Sequence, residues 1–134
     1  MMNNKSTKTT VNQPKKQGKT SFLKRLLIGL VLILLLAIAG FVIWGSTPAR
    51  PDASALQSLE SDDKVTISEG QYWLAFSPAN RTPNTGLIFY PGGRVDYRAY
   101  SPLMHEIANG GYSVFLVKMP LNLAVFGVNR ADAL

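Results

Sequence analysis

The stretch GLIFYPGGRVD, residues 86–96, decides the fold class of this protein. Its first five residues form a continuous apolar run, which is typical of a strand buried on both faces of a parallel sheet. A second run of this kind, YSVFLVKM, covers residues 112–119. Between the two runs, a helix pattern begins with Ser101 as N-cap and Pro102 at the first helical position, and it ends before Gly110. Strand, helix and strand within about 30 residues predict a right-handed βαβ unit, and therefore an α/β fold.

The residues before this unit predict a hairpin and a short helix. KVTISEGQYWLAF, residues 64–76, alternates apolar and polar positions on either side of a Glu-Gly pair, which is the pattern of two antiparallel strands joined by a tight turn. ASALQSLE, residues 53–60, predicts a short helix entered through Asp52 as N-cap, with Leu56 and Leu59 on one face.

Residues 26–45, LLIGLVLILLLAIAGFVIWG, predict a single transmembrane helix ahead of the α/β domain. This stretch has no charged residue, and at ~1.5 Å per residue it spans ~30 Å, the hydrocarbon thickness of a bilayer. A buried core helix rarely remains apolar on every face over this length, and the apolar region of a signal peptide covers only about 7 to 15 residues. We therefore expect an uncleaved signal anchor that binds the lipid bilayer.

The distribution of charge predicts how the anchor is oriented. The protein has 134 residues with 14 Lys and Arg and 8 Asp and Glu; seven of the basic residues, and no acid, lie in residues 1–25. By the positive-inside rule, this tail is expected to be cytoplasmic, and its polar composition predicts disorder. Residues 46–52, STPARPD, are expected to form a linker to a domain over residues 53–134 outside the cell membrane.

The same distribution excludes one class of partner. After residue 25, seven basic residues face all eight acids, so the predicted domain carries a net charge of −1. It lacks the basic face that could neutralise several phosphates, and we expect no nucleic-acid partner. No cysteine is present, which excludes disulfides and thiolate chemistry. We expect no metal and no cofactor.

The two glycines of YPGGRVD stand where the first apolar run ends. Glycines at the carboxyl end of a parallel strand let the backbone approach a ligand and direct N–H groups into the crevice where α/β proteins bind substrates. An acyl-transfer enzyme needs such donors for the oxyanion of its tetrahedral intermediate. A simple change of chain direction, with Asp96 capping a local turn through its carboxylate, explains the same residues. Physical reasoning alone leaves both interpretations open.

The motifs of residues 86–132 resemble those of one family. A strand, YPG, VD, AY, a helix and MPLNLAVF follow one another in the order found in the α/β-hydrolase superfamily, specifically in the α/β-hydrolase fold 5 family of small bacterial proteins. The resemblance implies the N-terminal part of a serine hydrolase that acts on an acyl or ester bond of a small molecule. It also implies an oxyanion hole built partly by the turn after the first buried strand. In this chain the implied backbone N–H donors are Gly93 and Arg94, and the residues that support the turn are Pro91, Gly92 and Asp96.

The catalytic residues of that family have no match in the sequence. The Gly-x-Ser-x-Gly elbow is missing, and Ser113 in GYSVF begins a strand, whereas the elbow serine follows one. His105, the single histidine, falls on the predicted helix away from its apolar stripe, and we expect a solvated residue rather than a general base. The predicted helix start at Asn129 leads us to expect the front portion of a longer hydrolase, inactive alone, with its catalytic Ser, Asp and His beyond residue 134.

Residues 119–127, MPLNLAVFG, are too apolar for an ordinary surface loop. One interpretation places Leu121, Leu123 and Phe126 along the substrate crevice beside the oxyanion turn; the other places them in the core of the fold. A different class of function also remains open. A small membrane-anchored interaction protein without catalysis would use the exposed half-sheet and this segment to hold a partner.

Overall fold

The computed structural model describes residues 19–134, and residues 1–18 lie outside the described part of the chain. Helix α1 (Lys19–Ser46) is uncharged and apolar on all sides over residues 26–45, and Ser21–Ser46 is the one stretch of the described residues long and apolar enough to cross a membrane. Most of the predicted tail is not described, but its last residues, 19–25, are helical instead of disordered. The chain divides into two compact units after Ala37, so the end of α1 belongs to the second unit.

The second unit contains two further helices and four strands. A 3₁₀ turn, Tyr97–Tyr100, precedes α3, and three more follow the last strand at Pro120–Asn122, Ala124–Phe126 and Arg130–Ala133. The helices and strands, in chain order, are α2 (Ala53–Gln57), β1 (Val65–Glu69), β2 (Trp73–Pro78), β3 (Gly86–Phe89), α3 (Ser101–Asn109) and β4 (Ser113–Val117).

The four strands form one mixed sheet in the order β1-β2-β4-β3. β1 and β2 pair antiparallel with Ile67 opposite Phe76, which confirms the predicted hairpin. β2 pairs antiparallel with β4, and β3 pairs parallel with β4 with Gly86 opposite Ser113. Because α3 connects the two parallel strands, the predicted βαβ unit and the α/β class are confirmed.

The core lies between the sheet and α3. Alternate residues of the strands point to the same face, and residues four apart on a helix lie above one another, so one face of each element is buried. Met104 and Ala108 of α3 therefore meet side chains from three strands. The buried strand residues in this cluster are Val65, Leu74, Phe76, Val114 and Leu116.

The prediction that β3 is buried on both faces is wrong for the described chain. Gly86, Leu87 and Ile88 are exposed, and Phe89 is half-buried. The cause is topological, because β3 lies at the edge of the sheet with β4 as its single neighbour. β4 lies inside the sheet, and its residues Val114, Leu116 and Val117 are buried.

One of the two predicted N-caps is confirmed. The Asp52 carboxylate accepts a hydrogen bond from the Ala55 N–H at 2.8 Å, which confirms this N-cap, and Gly110 ends α3 as predicted. Ser101 does not cap α3, because the preceding 3₁₀ turn places Tyr100 in that position. The buried Ser101 hydroxyl instead contacts the carbonyl oxygens of Ala55 and Arg98, which joins α2 to α3.

The short helix α2 buries a different face from the one predicted. Ala55 is buried and Leu56 is exposed, whereas Leu59, beyond the end of α2, packs against the core. Leu56 and Leu59 therefore do not share a buried face. The reason is that α2 ends at Gln57, so helical spacing no longer relates the two leucines.

The segment predicted as a linker, residues 46–52, pairs with the turn that follows β3. Ala49 donates its N–H to the Arg94 carbonyl at 2.8 Å and accepts the Asp96 N–H at 3.0 Å. These two bonds form an isolated parallel bridge between Ala49 and Val95. The segment thus holds the candidate site instead of only connecting two parts of the chain.

Candidate functional site

The candidate site is the turn that carries residues 91–96 from the end of β3 to the 3₁₀ turn before α3. Pro91 is buried, and the Gly92 N–H donates a hydrogen bond to the Tyr100 hydroxyl at 3.1 Å. A Cβ atom at position 92 would lie 2.7 Å from that hydroxyl oxygen, so any larger residue would displace the Tyr100 side chain from this contact. The Tyr100 ring packs against Phe89 with centroids 5.0 Å apart. Strand β3 and the turn are thereby held together.

The two implied oxyanion donors differ in the structure. The Arg94 N–H donates a hydrogen bond to the Asn122 carbonyl at 2.8 Å and is therefore occupied. Gly93 is exposed, and its N–H has no hydrogen-bond partner within residues 19–134. Arg94 also has a left-handed backbone, with φ 59°, which is uncommon for a residue with a side chain. Of the two implied donors, only the Gly93 N–H lacks a hydrogen-bond partner among the described residues.

The Arg94 side chain, to which the sequence assigned no contact, caps the end of α1. Its Nε donates to the Trp44 carbonyl at 3.2 Å and its Nη2 to the Thr47 carbonyl at 3.0 Å. The guanidinium also lies over the Trp44 ring, 4.6 Å from the centroid. The last carbonyls of a helix have no partner within the helix, and a cation satisfies them and their partial negative charge. Arg94 therefore joins the turn to the helix end.

Asp96 caps the chain after the turn, as the alternative interpretation of YPGGRVD predicted. Its carboxylate accepts the Arg98 N–H at 3.0 Å and forms an ion pair with the Arg98 guanidinium, with 2.6 Å between Oδ2 and Nη2. The hydrogen bond from the Arg98 side chain holds the pKa of Asp96 below its ordinary value, against the opposing effect of burial. Asp96 is thus a charged support of the turn.

The three residues predicted to line a crevice lie in different surroundings. Leu123 lies beside Gly93, because a Cβ atom on Gly93 would be 3.4 Å from the Leu123 Cδ2. Leu121 packs against buried Gly45, and the Phe126 ring meets the Phe41 ring edge-on at 6.1 Å between centroids. Leu121 and Phe126 therefore contact the end of α1, and only Leu123 flanks the candidate donor.

The cleft next to the turn has both polar and apolar lining residues. It has a volume of about 580 Å³, and its lining includes Asp96, Arg98 and Asn122 with residues of the 46–51 segment. Neither Gly93 nor the three predicted crevice residues line this cleft. This cleft is therefore separate from the substrate crevice that one interpretation placed along Leu121, Leu123 and Phe126.

Ser113 and His105 lie away from the turn. Ser113 begins β4 opposite Gly86, the first residue of β3, whereas the turn follows the last residue of that parallel strand. His105 is only partly exposed, unlike the solvated residue expected, since its side chain is 20% exposed and its Nε2 lies 3.4 Å from the Asp62 Oδ2. Backbone N–H groups of Lys64 and Val65 bind the Asp62 carboxylate and lower its pKa, with a smaller contribution from His105.

The difference between the two amides is measurable by hydrogen exchange. In the isotope-labelled full chain in detergent micelles, we expect the Gly93 amide to exchange near the rate of an unfolded chain. The Arg94 amide should exchange at least about tenfold more slowly, because its bond to Asn122 must open first. Nuclear magnetic resonance resolves both amides, and Arg94 serves as the internal control. A Gly93 amide as well protected as that of Arg94 would remove the candidate donor.

Comparison with known proteins identifies a family for the segment that contains the turn. Residues 86–134 match the model of the alpha/beta hydrolase family. This segment begins with β3 and includes the turn, α3 and β4, and it agrees with the resemblance carried by YPG, VD, AY and MPLNLAVF. No curated protein and no solved structure matches the chain.

Proposed function

We propose, on the premise that residues 86–134 are a segment of the alpha/beta hydrolase family, that the chain forms part of a membrane-anchored serine hydrolase. This enzyme acts on acyl esters. In this proposal the chain supplies the anchor, the first strands of the sheet and one donor of the oxyanion hole. The substrate is a small molecule with an ester or similar acyl bond. The domain after the anchor is placed outside the cell membrane.

The observation that carries the proposal is the free, exposed N–H of Gly93 in the turn between β3 and α3. Hydrolases of this fold take one oxyanion N–H from the loop after the third strand, where Gly93 stands. An oxyanion donor acts best when it is held in place before the reaction begins. The residues on both sides of Gly93 provide this rigidity, since Gly92 is bonded to Tyr100 and Arg94 to Asn122.

The anchor part of the proposal rests on α1. Over residues 26–45 every position is uncharged, and the seven Lys and Arg residues before it favour a cytoplasmic N-terminus. Trp44, at the other end, is a residue type enriched at the membrane–water interface. A single pass with the domain outside is the topology that satisfies both features.

The chain of 134 residues is expected to be catalytically silent. Its sequence has no Gly-x-Ser-x-Gly elbow. The single histidine, His105, lies beside the Asp62 carboxylate and not beside a serine. A serine without a base to take its proton is a weak nucleophile. Incubation of the full chain with p-nitrophenyl esters and a fluorophosphonate probe should give no turnover and no labelling above a heat-denatured sample. Covalent labelling of a folded chain, abolished by one Ser→Ala substitution, would contradict this.

Translation of the nucleotide sequence that follows codon 134 tests the hydrolase proposal directly. An in-frame Gly-x-Ser-x-Gly after one more helix and strand supports it. In the longer product, Gly93→Pro, which removes the N–H, should then lower kcat about 10²- to 10³-fold. Gly93→Ala keeps the N–H and meets only ordinary contact with Leu123, so it is the matched control. Equal activity of the two variants would exclude Gly93 as an oxyanion donor.

A second candidate function is favoured by the edge strand. Leu87 and Ile88 of β3 are exposed, and the outer backbone groups of β3 have no neighbouring strand in the described residues. Such an edge accepts an added strand from another protein. A stable folded product of 134 residues, with no elbow coded downstream, would favour this membrane-anchored interaction protein over the hydrolase.

A further inference from the structure

Three apolar side chains project from the chain just after the turn of residues 120–122. They are Val125, Phe126 and Val128, which are 70%, 50% and 64% exposed, and we call them the apolar tip. No charged residue occurs between Met119 and Val128. Adjacent exposed apolar side chains of this size mark a surface that binds a partner or a membrane.

The apolar tip adjoins the last turns of α1. The Phe126 ring meets the Phe41 ring edge-on at 6.1 Å, and Phe41 in turn lies 5.8 Å from the Trp44 ring. At ~1.5 Å rise per residue, Phe41 lies ~6 Å along the helix before Gly45, where the uncharged stretch ends. Phe126 therefore stands beside the apolar stretch, level with residues inside it.

Polar contacts hold the tip at this level. Asn122 donates its side-chain N–H to the Gly45 carbonyl at 3.0 Å, and its own carbonyl accepts the Arg94 N–H. Leu121 packs against Gly45, where even a methyl group would come within 3.1 Å of the Leu121 Cβ. The segment that carries the tip is thus fastened to the helix end immediately before the tip begins.

We propose that the apolar tip is inserted into the outer leaflet of the lipid bilayer beside α1. The inference rests on the membrane anchor of the proposed function and adds a second contact to it. Lipid is the occupant that the geometry favours, because the tip is continuous with the apolar surface of the helix end. The Arg94 guanidinium over Trp44 then lies at the level of the headgroups, where cationic and aromatic side chains are both stable.

The absence of cysteine allows a direct measurement of depth. Val125→Cys, which leaves the Phe126–Phe41 contact in place, and Phe126→Cys are each labelled with the fluorophore NBD in the full chain. The matched control is Tyr112→Cys, since Tyr112 is 51% exposed and lies at the opposite end of β4. At ~3.3 Å per residue, Tyr112 lies roughly 17 Å from Val117, the last residue of this strand. The proteins are reconstituted in phosphatidylcholine vesicles with nitroxide groups on the acyl chains.

We expect the labels at positions 125 and 126 to be quenched by the nitroxide lipids at least threefold more strongly than the label at position 112. Equal quenching at the three positions, in vesicles that carry the protein, overturns the insertion of the tip but leaves the anchor intact. A label at position 125 that is shielded from both nitroxide and aqueous iodide means that protein covers the tip, which also overturns it. Failure of the unlabelled chain to float with vesicles overturns the anchor and the tip together.

Discussion

Met104→Ala is expected to lower the free energy of unfolding of the second unit by about 2–5 kcal/mol. Met104 is fully buried in the cluster that joins α3 to β1, β2 and β4. Its replacement removes apolar burial and leaves a cavity that the strands can fill only in part. Because a domain of under 100 residues is marginally stable, this loss should unfold a large fraction of the molecules.

Leu103→Ala is the matched control for this substitution. Leu103 neighbours Met104 on the same helix but is 47% exposed, so its truncation should change the free energy of unfolding by less than about 1 kcal/mol. Unfolding of the full chain by urea in micelles is followed by the fluorescence of Trp73. This ring packs against Phe115 of the sheet, so its emission reports on the sheet. Comparable losses for the two variants would mean that α3 does not pack through Met104.

Arg94→Ala is expected to destabilise the contact between the turn and the end of α1 by about 2 kcal/mol. The substitution removes two hydrogen bonds from a charged donor and the cation–π contact with Trp44. It leaves the left-handed backbone of residue 94, which costs roughly 1–2 kcal/mol for a residue with a Cβ. The Trp44 and Thr47 carbonyls must then be satisfied by water.

Arg94→Gly separates the side-chain contacts from the backbone conformation. Glycine loses the same contacts but adopts φ 59° without steric cost, so this variant should be about 1 kcal/mol more stable than Arg94→Ala. Urea midpoints and the emission of Trp44 in micelles measure both effects. If Arg94→Ala and Arg94→Gly are equally stable, the left-handed backbone carries no cost. If both variants are as stable as the wild type, the capping contacts contribute nothing.

Patterns confined to short stretches of the chain were sufficient to predict the class of fold. The alternation in residues 64–76 and the apolar run of β4 depend on neighbouring residues, because the repeat of a strand or helix is local. The same holds for the uncharged stretch within α1 and for the Asp52 cap. The motifs after residue 86 indicated the resemblance to the alpha/beta hydrolase family for a related reason, since each motif is short, and the family model matches residues 86–134.

Contacts between distant residues decided the rest of the site. Both Gly93 and Arg94 were implied as donors, and the choice between them depends on Asn122, which is 28 positions further along the chain than Arg94. The pairing of His105 with Asp62 is of the same kind. Strand β3 has a strongly apolar sequence, yet its exposure follows from its place at the edge of the sheet. The periodicity of the sequence predicts which face of a helix or strand is apolar. Only the packing of these elements against one another determines which N–H groups and carbonyls are hydrogen-bonded and which apolar faces are buried.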